Sequence, residues 1–138
     1  LDLAAEAAVQ AVVRGLIAEG VVDTAHDASV GGLAVCLAEM AVCGGRGLAA
    51  DLPASGAGVL GRDVALFGES SARVVLAVEP ARAAAVEEAC AAAGVPAVRL
   101  GTAGGDRLEL RVAGSPAVDL PLASVAAAWR RTFAEALG

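Results

Sequence analysis

His26-Asp27-Ala28-Ser29-Val30-Gly31-Gly32-Leu33, continued by Ala34-Val35-Cys36-Leu37-Ala38-Glu39-Met40-Ala41-Val42-Cys43-Gly44-Gly45, is the stretch on which the fold turns. It holds the only histidine of the chain, two adjacent glycines and then an unbroken helical pattern. Leu33, Cys36, Leu37, Met40 and Ala41 recur at i, i+3, i+4, i+7 and i+8, which predicts one apolar face of a helix over about Val30 to Val42. Gly44-Gly45 supplies the stop, because glycine takes the left-handed position after a helix without steric cost. At the front, Asp27 or Ser29 is placed to accept a hydrogen bond from the first free backbone N–H groups. Gly31 and Gly32 in that first turn cost helix stability, about 1 kcal/mol each against alanine. They predict a bare helix N-terminus, open to an anion or to the close approach of another backbone. The plain alternative is that Asp27 and Ser29 only cap and the glycines only allow close packing.

Working outward, Asp2 to Glu19 reads as a helix whose Val9, Val12, Val13, Leu16 and Ile17 share a face. Asp2 and Glu6 lie at its positive end, and Gly20 stops it. Val21 to Ala25 is a short extended link to His26. After the central helix, Arg46 to Leu52 reads as a strand ended by Pro53, and Val59 to Phe67 as a short helix. Val74-Val75-Leu76-Ala77-Val78 is apolar on both faces, so Arg73 to Val78 is expected to be the central strand. Pro80 opens a helix that runs to Ala93 and ends at Gly94. Pro96 to Leu100 and Asp106 to Val112 are expected to pair as a hairpin through the turn Gly101 to Gly105. In the second of these, Leu108, Leu110 and Val112 alternate with Arg107, Glu109 and Arg111, the mark of a half-buried antiparallel strand. Gly114-Ser115-Pro116 reads as a loop. Leu122 to Leu137 is a closing helix, with Trp129 and Phe133 four apart on one face. Helices alternating with strands, with an antiparallel hairpin among them, predict an α+β fold: a mostly antiparallel sheet flanked by helices.

The 138 residues fit a single domain, 1–138, large enough to bury a real core. Hydrophobic residues make up 57%, but 36 of them are alanines and the only aromatics are Phe67, Trp129 and Phe133. The core is therefore expected to rest on Val, Leu and close alanine packing. The net charge of −6, with no basic run longer than Arg130-Arg131, argues against nucleic acid. The charge-free stretch Ala28 to Ala38 is too short to span a bilayer, so no membrane partner is expected. No signal-peptide pattern opens the chain and Leu1 is not an initiator methionine, so it reads as an excised, cytoplasmic piece of a longer polypeptide. Cys36 and Cys43 stand two helical turns apart, about 10.5 Å, which excludes a disulfide between them. With Cys90 they read as reduced core residues. One histidine and no paired thiols argue against zinc.

His26, Asp27 and Ser29 hold the residue types of a hydrolytic triad, but a relay gathers its members from separate elements, and three so close in sequence are badly placed for it. Gly101 to Gly105 lacks the lysine and hydroxyl of a phosphate loop. Gly56-Ala57-Gly58-Val59-Leu60-Gly61 spells G-x-G-x-x-G, a weak signal without a convincing strand before it. Leu66-Phe67-Gly68-Glu69-Ser70-Ser71-Ala72-Arg73 is more informative. It sets a carboxylate, two hydroxyls and a guanidinium at a strand end, either as a polar loop in which Arg73 pairs Glu69 or as a ligand cluster.

His-Asp-x-Ser-x-Gly-Gly-Leu-Ala followed by Leu-Ala-Glu-Met-Ala resembles the C-terminal domain of AIR synthetase-related enzymes, closest to the second half of the phosphoribosylformylglycinamidine synthases. Phe-Gly-Glu-Ser followed by Arg-Val-Val, Arg-Leu-Gly-Thr-x-Gly-Gly-Asp-Arg-Leu and the Trp-containing last helix resemble the same enzymes in the same order, over nearly the whole chain. Two departures stand out: Val30 where an acidic residue is usual, and Ser71 where glutamine is usual.

The resemblance implies a three-layer α/β/α domain. It implies a part in an enzyme that converts formylglycinamide ribonucleotide to its amidine with ATP, magnesium and ammonia from glutamine. The ATP-handling motifs of such enzymes lie in other domains, so the fragment alone is expected to be inactive, with no catalytic residue of its own. His26, Asp27, Ser29, Gly31, Gly32, Glu69, Ser70, Ser71 and Arg73 are expected to border a ligand, Asp27 as the magnesium contact. Expected partners are the other domains of the same chain, a glutaminase subunit and a small accessory subunit, with self-association of the fragment. Two other readings stay open: a selenophosphate synthetase or thiamine-phosphate kinase type of enzyme, and a non-catalytic packing module.

Overall fold

The computed structural model describes residues 2–56 and 58–137, with the side chains at 59 and 132–137 outside the description. Helix α1 (Leu3–Ala18) opens the chain, capped by the Asp2 carboxylate, which accepts from the Ala4 and Ala5 N–H groups at 3.0 Å. Strand β1 (Thr24–Asp27) leads to α2 (Gly32–Gly44), and β2 (Leu48–Leu52) leads to α3 (Gly58–Phe67). Strand β3 (Val74–Ala77), a 3-10 turn at Pro80–Arg82 and α4 (Ala83–Ala92) follow. The chain closes with β4 (Gly101–Ala103), β5 (Arg107–Val112), β6 (Ser115–Pro121) and α5 (Leu122–Leu137). This is an α+β fold.

The strands form two sheets. One has the order β4-β2-β5-β6, with β2 and β5 parallel and the outer pairs antiparallel. The other is the antiparallel pair β1-β3, in the register His26↔Val75 and Asp27↔Val74. The β5 alternation is obeyed: Leu108, Leu110 and Val112 are buried, while Glu109 and Arg111 face out. Helices α2, α3 and α5 all pack on β5. Ala34, Leu37, Ala50, Leu52, Ala65, Leu66 and the β5 leucines make the core between them. As expected, it is an aliphatic core, with no aromatic ring in it among the described residues.

Several expectations are corrected. The segment 96–100 is not a strand; the strand is β4, and it pairs with β2 rather than with β5. A side chain at Gly101 would run into the Ala49 backbone, so this glycine serves close strand approach and not a turn. Residues 115–116 belong to β6, the partner of β5. Pro116 and Pro121 are tolerated there because β6 is an edge strand, where a missing N–H breaks no ladder. Strand β3 pairs with β1 alone, and its four residues are half-buried. Trp129 does not anchor α5, being 51% exposed; Val125 packs against the core instead, and the Phe133 side chain lies outside the described residues. The run Gly56 to Gly61 does follow a strand and open a helix. The chain then leaves for β3, however, before β5 returns parallel to β2, so no simple βαβ unit is formed.

Leu110 is 1% exposed at the centre of this core. Leu110→Ala is expected to cost about 3 kcal/mol, from lost transfer energy and the cavity left behind. Urea unfolding measures it; a loss under about 1 kcal/mol would show that β5 is not the centre of the packing.

Candidate functional site

The site grows from the first turn of α2. Gly31 has φ +77° and Gly32 φ +65°, left-handed values that glycine alone takes without strain. Gly32 is buried, and a Cβ there would lie 2.7 Å from the Phe67 carbonyl carbon and 2.8 Å from the Leu66 oxygen. The glycine pair therefore lets the start of α2 touch the end of α3 backbone to backbone. This is the close-packing reading, and Gly32→Val would break the fold rather than crowd a ligand.

The helix end is not bare. No side chain at the capping position serves it, and neither Asp27 nor Ser29 caps. Glu69, 38 residues on, reaches back so that Gly31 N–H donates to its Oε1 at 3.0 Å. The carboxylate complements the positive end of the helix, which would otherwise attract an external anion. Arg73 does not pair with Glu69; its Nη2 donates to the Gly68 carbonyl, and its Nε is buried without a partner among the described residues. Ala72 turns the chain at φ +60° just before it. Ser70 and Ser71 lie on the exposed side of the same loop.

His26 and Asp27 are strand residues, not cap residues. Ala28 N–H donates to the Arg73 carbonyl at 2.9 Å, continuing the β1-β3 pairing to the loop that carries Glu69. The His26 ring is held on both sides: Nδ1 lies 2.8 Å from the Asp27 carbonyl oxygen and Nε2 lies 3.2 Å from Glu39 Oε2. The Asp27 side chain is 70% exposed. A hydrogen bond from Ser29, then one from its own backbone, holds its carboxyl below the usual carboxylate range. Beneath, Cys36 Sγ donates to the His26 carbonyl at 3.8 Å. Burial first, then the Asp27 and Glu39 carboxylates, push this thiol up to about 11. The structure thus brings Asp27, Ser29, Gly31, Glu69 and Arg73 to the start of α2, while the His26 ring lies alongside the helix at Glu39. No triad is formed.

Residues 1–113 match the family described as AIR synthase related protein, C-terminal domain. The chain belongs to this family. Among its relatives, the phosphoribosylformylglycinamidine synthase subunit PurL of Moorella thermoacetica is 42% identical over 133 residues, which are 96% of this chain and 18% of the relative. The subunit of the same name from Salinibacter ruber is 43% identical over 139 residues, 99% of this chain and 18% of the relative. The structure of phosphoribosylformylglycinamidine synthase II from Thermotoga maritima aligns with a TM-score of 0.79 at 17% identity, over 91% of this chain and 22% of that one. T. maritima PurL complexed with ATP aligns with a TM-score of 0.75 at 16% identity, over 86% and 21%. At such identities the structural likeness shows the shared fold. The chain spans about a fifth of the length of these relatives.

Within this family domain, the sequence analysis missed two contacts, Glu69 with Gly31 and Glu39 with His26. Glu69 meeting Gly31 is a long-range contact with no local pattern. Glu39 did leave a signal, as the single charged residue in the otherwise apolar Gly32–Gly44 segment. A lone carboxylate on a packed helix asks for a partner.

Two outcomes follow. Ser29→Ala should raise the Asp27 carboxyl back toward the ordinary range, followed by its carboxyl ¹³C signal against pH. Because the folded value is depressed, the Asp27 contribution to stability is present above the unfolded value and is lost as pH falls through the folded one. An unchanged titration would remove the Ser29 bond from the account. Separately, exposed Cys43 should react with a thiol reagent at neutral pH, whereas Cys36 and Cys90 should react only on unfolding. Three equally fast thiols would contradict the packing under β1.

Proposed function

We propose that residues 1–138 act as one domain, the C-terminal domain of the second half of a phosphoribosylformylglycinamidine synthase. That enzyme forms the amidine from formylglycinamide ribonucleotide with ATP and glutamine-derived ammonia. The observation that carries this reading is identity of about 40% over nearly the whole chain to subunits of that name, of which the chain spans only a fifth. The reading places the protein in the cytoplasm, and no helix among the described residues is long and apolar enough to cross a membrane.

The domain itself borders a nucleotide rather than performing the chemistry. Asp27 is its cation contact. Magnesium commonly takes one or two protein carboxylates and completes its shell with water and phosphate oxygens. An ionised, exposed Asp27 fits that use. No group of three or more His, Cys, Asp and Glu side chains able to hold a metal occurs among the described residues, which fits a shared ion and not a closed protein cage. Glu69 on the α2 N-terminus and Asp27 beside it make direct phosphate binding unfavourable, so the nucleotide approaches through the cation. When bound, magnesium would screen the phosphate charge; the chain's own residues hold Asp27 in place. His26, Ser29 and Glu69 shape this border, and Arg73 holds its loop through the Gly68 carbonyl.

The partners in this reading are the remaining domains of the same subunit, a glutaminase and a small accessory subunit. A T. maritima structure titled PurLQS fits such an assembly. On α3, Leu60, Val64 and Phe67 are exposed at one helical face, a surface suited to a neighbouring domain and to self-association of the fragment.

The purified chain alone should not consume ATP with substrate and ammonia; turnover by it would overturn the domain assignment. In the intact synthase, Asp27→Asn should weaken magnesium-dependent ADP binding about tenfold while leaving the fold intact. Calorimetry with and without magnesium measures this, and identical binding would remove Asp27 from the site.

A further inference from the structure

We propose that Glu39 is a positioning residue: it holds the His26 ring, and the ring in turn pins the Asp27 backbone so that the Asp27 carboxylate stands out from the end of β1. The inference rests on the reading of Asp27 as the cation-bordering group and adds to it the residues that aim that group.

The geometry is a chain of two contacts linking three residues. Glu39 Oε2 lies 3.2 Å from His26 Nε2, and His26 Nδ1 lies 2.8 Å from the Asp27 carbonyl oxygen. A carbonyl and a carboxylate both only accept, so the two contacts are made together by the imidazolium form, which donates from Nδ1 to the Asp27 carbonyl and from Nε2 to Glu39. With both ring nitrogens engaged, His26 has none left for a metal or a substrate. The residue of the His-Asp pair that remains outward is Asp27, at 70% exposure against 35% for the His26 side chain. The backbone at this point is fixed from other sides as well. Cys36 Sγ donates to the His26 carbonyl, and the neighbouring Ala28 N–H is bound to Arg73. The pairing with β3 ties one edge of this strand, and the ring bridging to Glu39 adds a tie to α2.

Glu39 sits two turns inside α2, where packing of the helix on the core sets its place. Its carboxylate is two-thirds shielded, so it is not itself a candidate ligand. Partners one step behind a metal-binding group commonly change metal affinity 10–100-fold when removed, by releasing the orientation of the group in front. Here the same logic applies through a histidine to an aspartate.

The test uses the 138-residue chain labelled with ¹³C and ¹⁵N, in which one histidine makes the ring signals unambiguous. Glu39→Ala should shift the His26 ring ¹⁵N signals and the Asp27 carboxyl ¹³C signal. In the intact synthase it should also weaken magnesium-dependent ADP binding about tenfold. Glu39→Gln, which keeps an oxygen acceptor, should recover most of both. If Glu39→Ala loses native signal dispersion, Glu39→Met takes its place. A folded variant with unchanged His26 and Asp27 signals overturns the proposal, as does a shifted ring with an unmoved Asp27 carboxyl. ADP binding by the intact wild-type synthase that does not depend on magnesium overturns the cation reading alone, since the ring and carboxyl signals still decide the positioning.

Discussion

The contact between the first turn of α2 and the last turn of α3 is the constraint on which the rest depends. It is made by backbone on backbone, because Gly32 has no side chain to hold Leu66 and Phe67 away. Once α3 ends against the start of α2, the chain that leaves it at Gly68 is already beside Gly31. Glu69 then needs no long reach to take the free N–H, and Arg73 needs none to find the Gly68 carbonyl. The next residues run out as β3 and pair with β1, which carries His26 and Asp27. One missing side chain thus sets the loop, the small sheet and the polar cluster in turn. The left-handed conformations of Gly31 and Gly32 and of Ala72 are sustained because packing on both sides determines them.

Much of the fold was legible because most elements bury one face in a simple period. The helices at 3–18, 32–44 and 58–67 and the strand at 107–112 obey their hydrophobic spacing, and the glycines after α1, α2 and α4 stop them as expected. Pairing was less legible. Gly101 reads as a turn residue locally and is a sheet residue in fact, since only its contact with Ala49 shows why it is glycine. Pro116 and Pro121 argue against a central strand, and β6 is an edge strand. Whether a strand is central or at an edge depends on partners far away in sequence, and no window of residues contains them.

The site shows the same division. The motif gathered neighbouring residues: Asp27, Ser29, Gly31, Gly32, Glu69 and Arg73 meet at the start of α2, and the His26 ring lies further along the helix at Glu39. Their roles were redistributed by tertiary structure. A residue just ahead of a helix is an obvious cap, yet β1 carries Asp27 in extended backbone, and Glu69 takes the capping place from 38 residues away. The left-handed pair at 31 and 32 makes this exchange necessary. The Ser29 carbonyl takes the Gly32 N–H at 3.3 Å, while the side chains of Asp27 and Ser29 cap none of the N–H groups they precede. Local rules assume a local path into the helix, and the glycines abolish that path.

What remains is a question of charge. A helix N-terminus carries roughly half a positive charge, enough to favour an anion nearby. Glu69 supplies a full negative charge there, and Asp27 adds a second on the solvent side, in a chain whose net charge is −6. Arg73 offsets part of this, but its guanidinium is turned to the Gly68 carbonyl. The balance at this end of α2 is therefore negative, the reverse of what the two glycines alone suggest. An unscreened phosphate approaching Asp27 would meet like-charge repulsion. A divalent cation between them turns both terms attractive. On the proposed reading, the carboxylate that closes the helix also makes cation dependence a property of the site, because it leaves a bare anion nothing to bind.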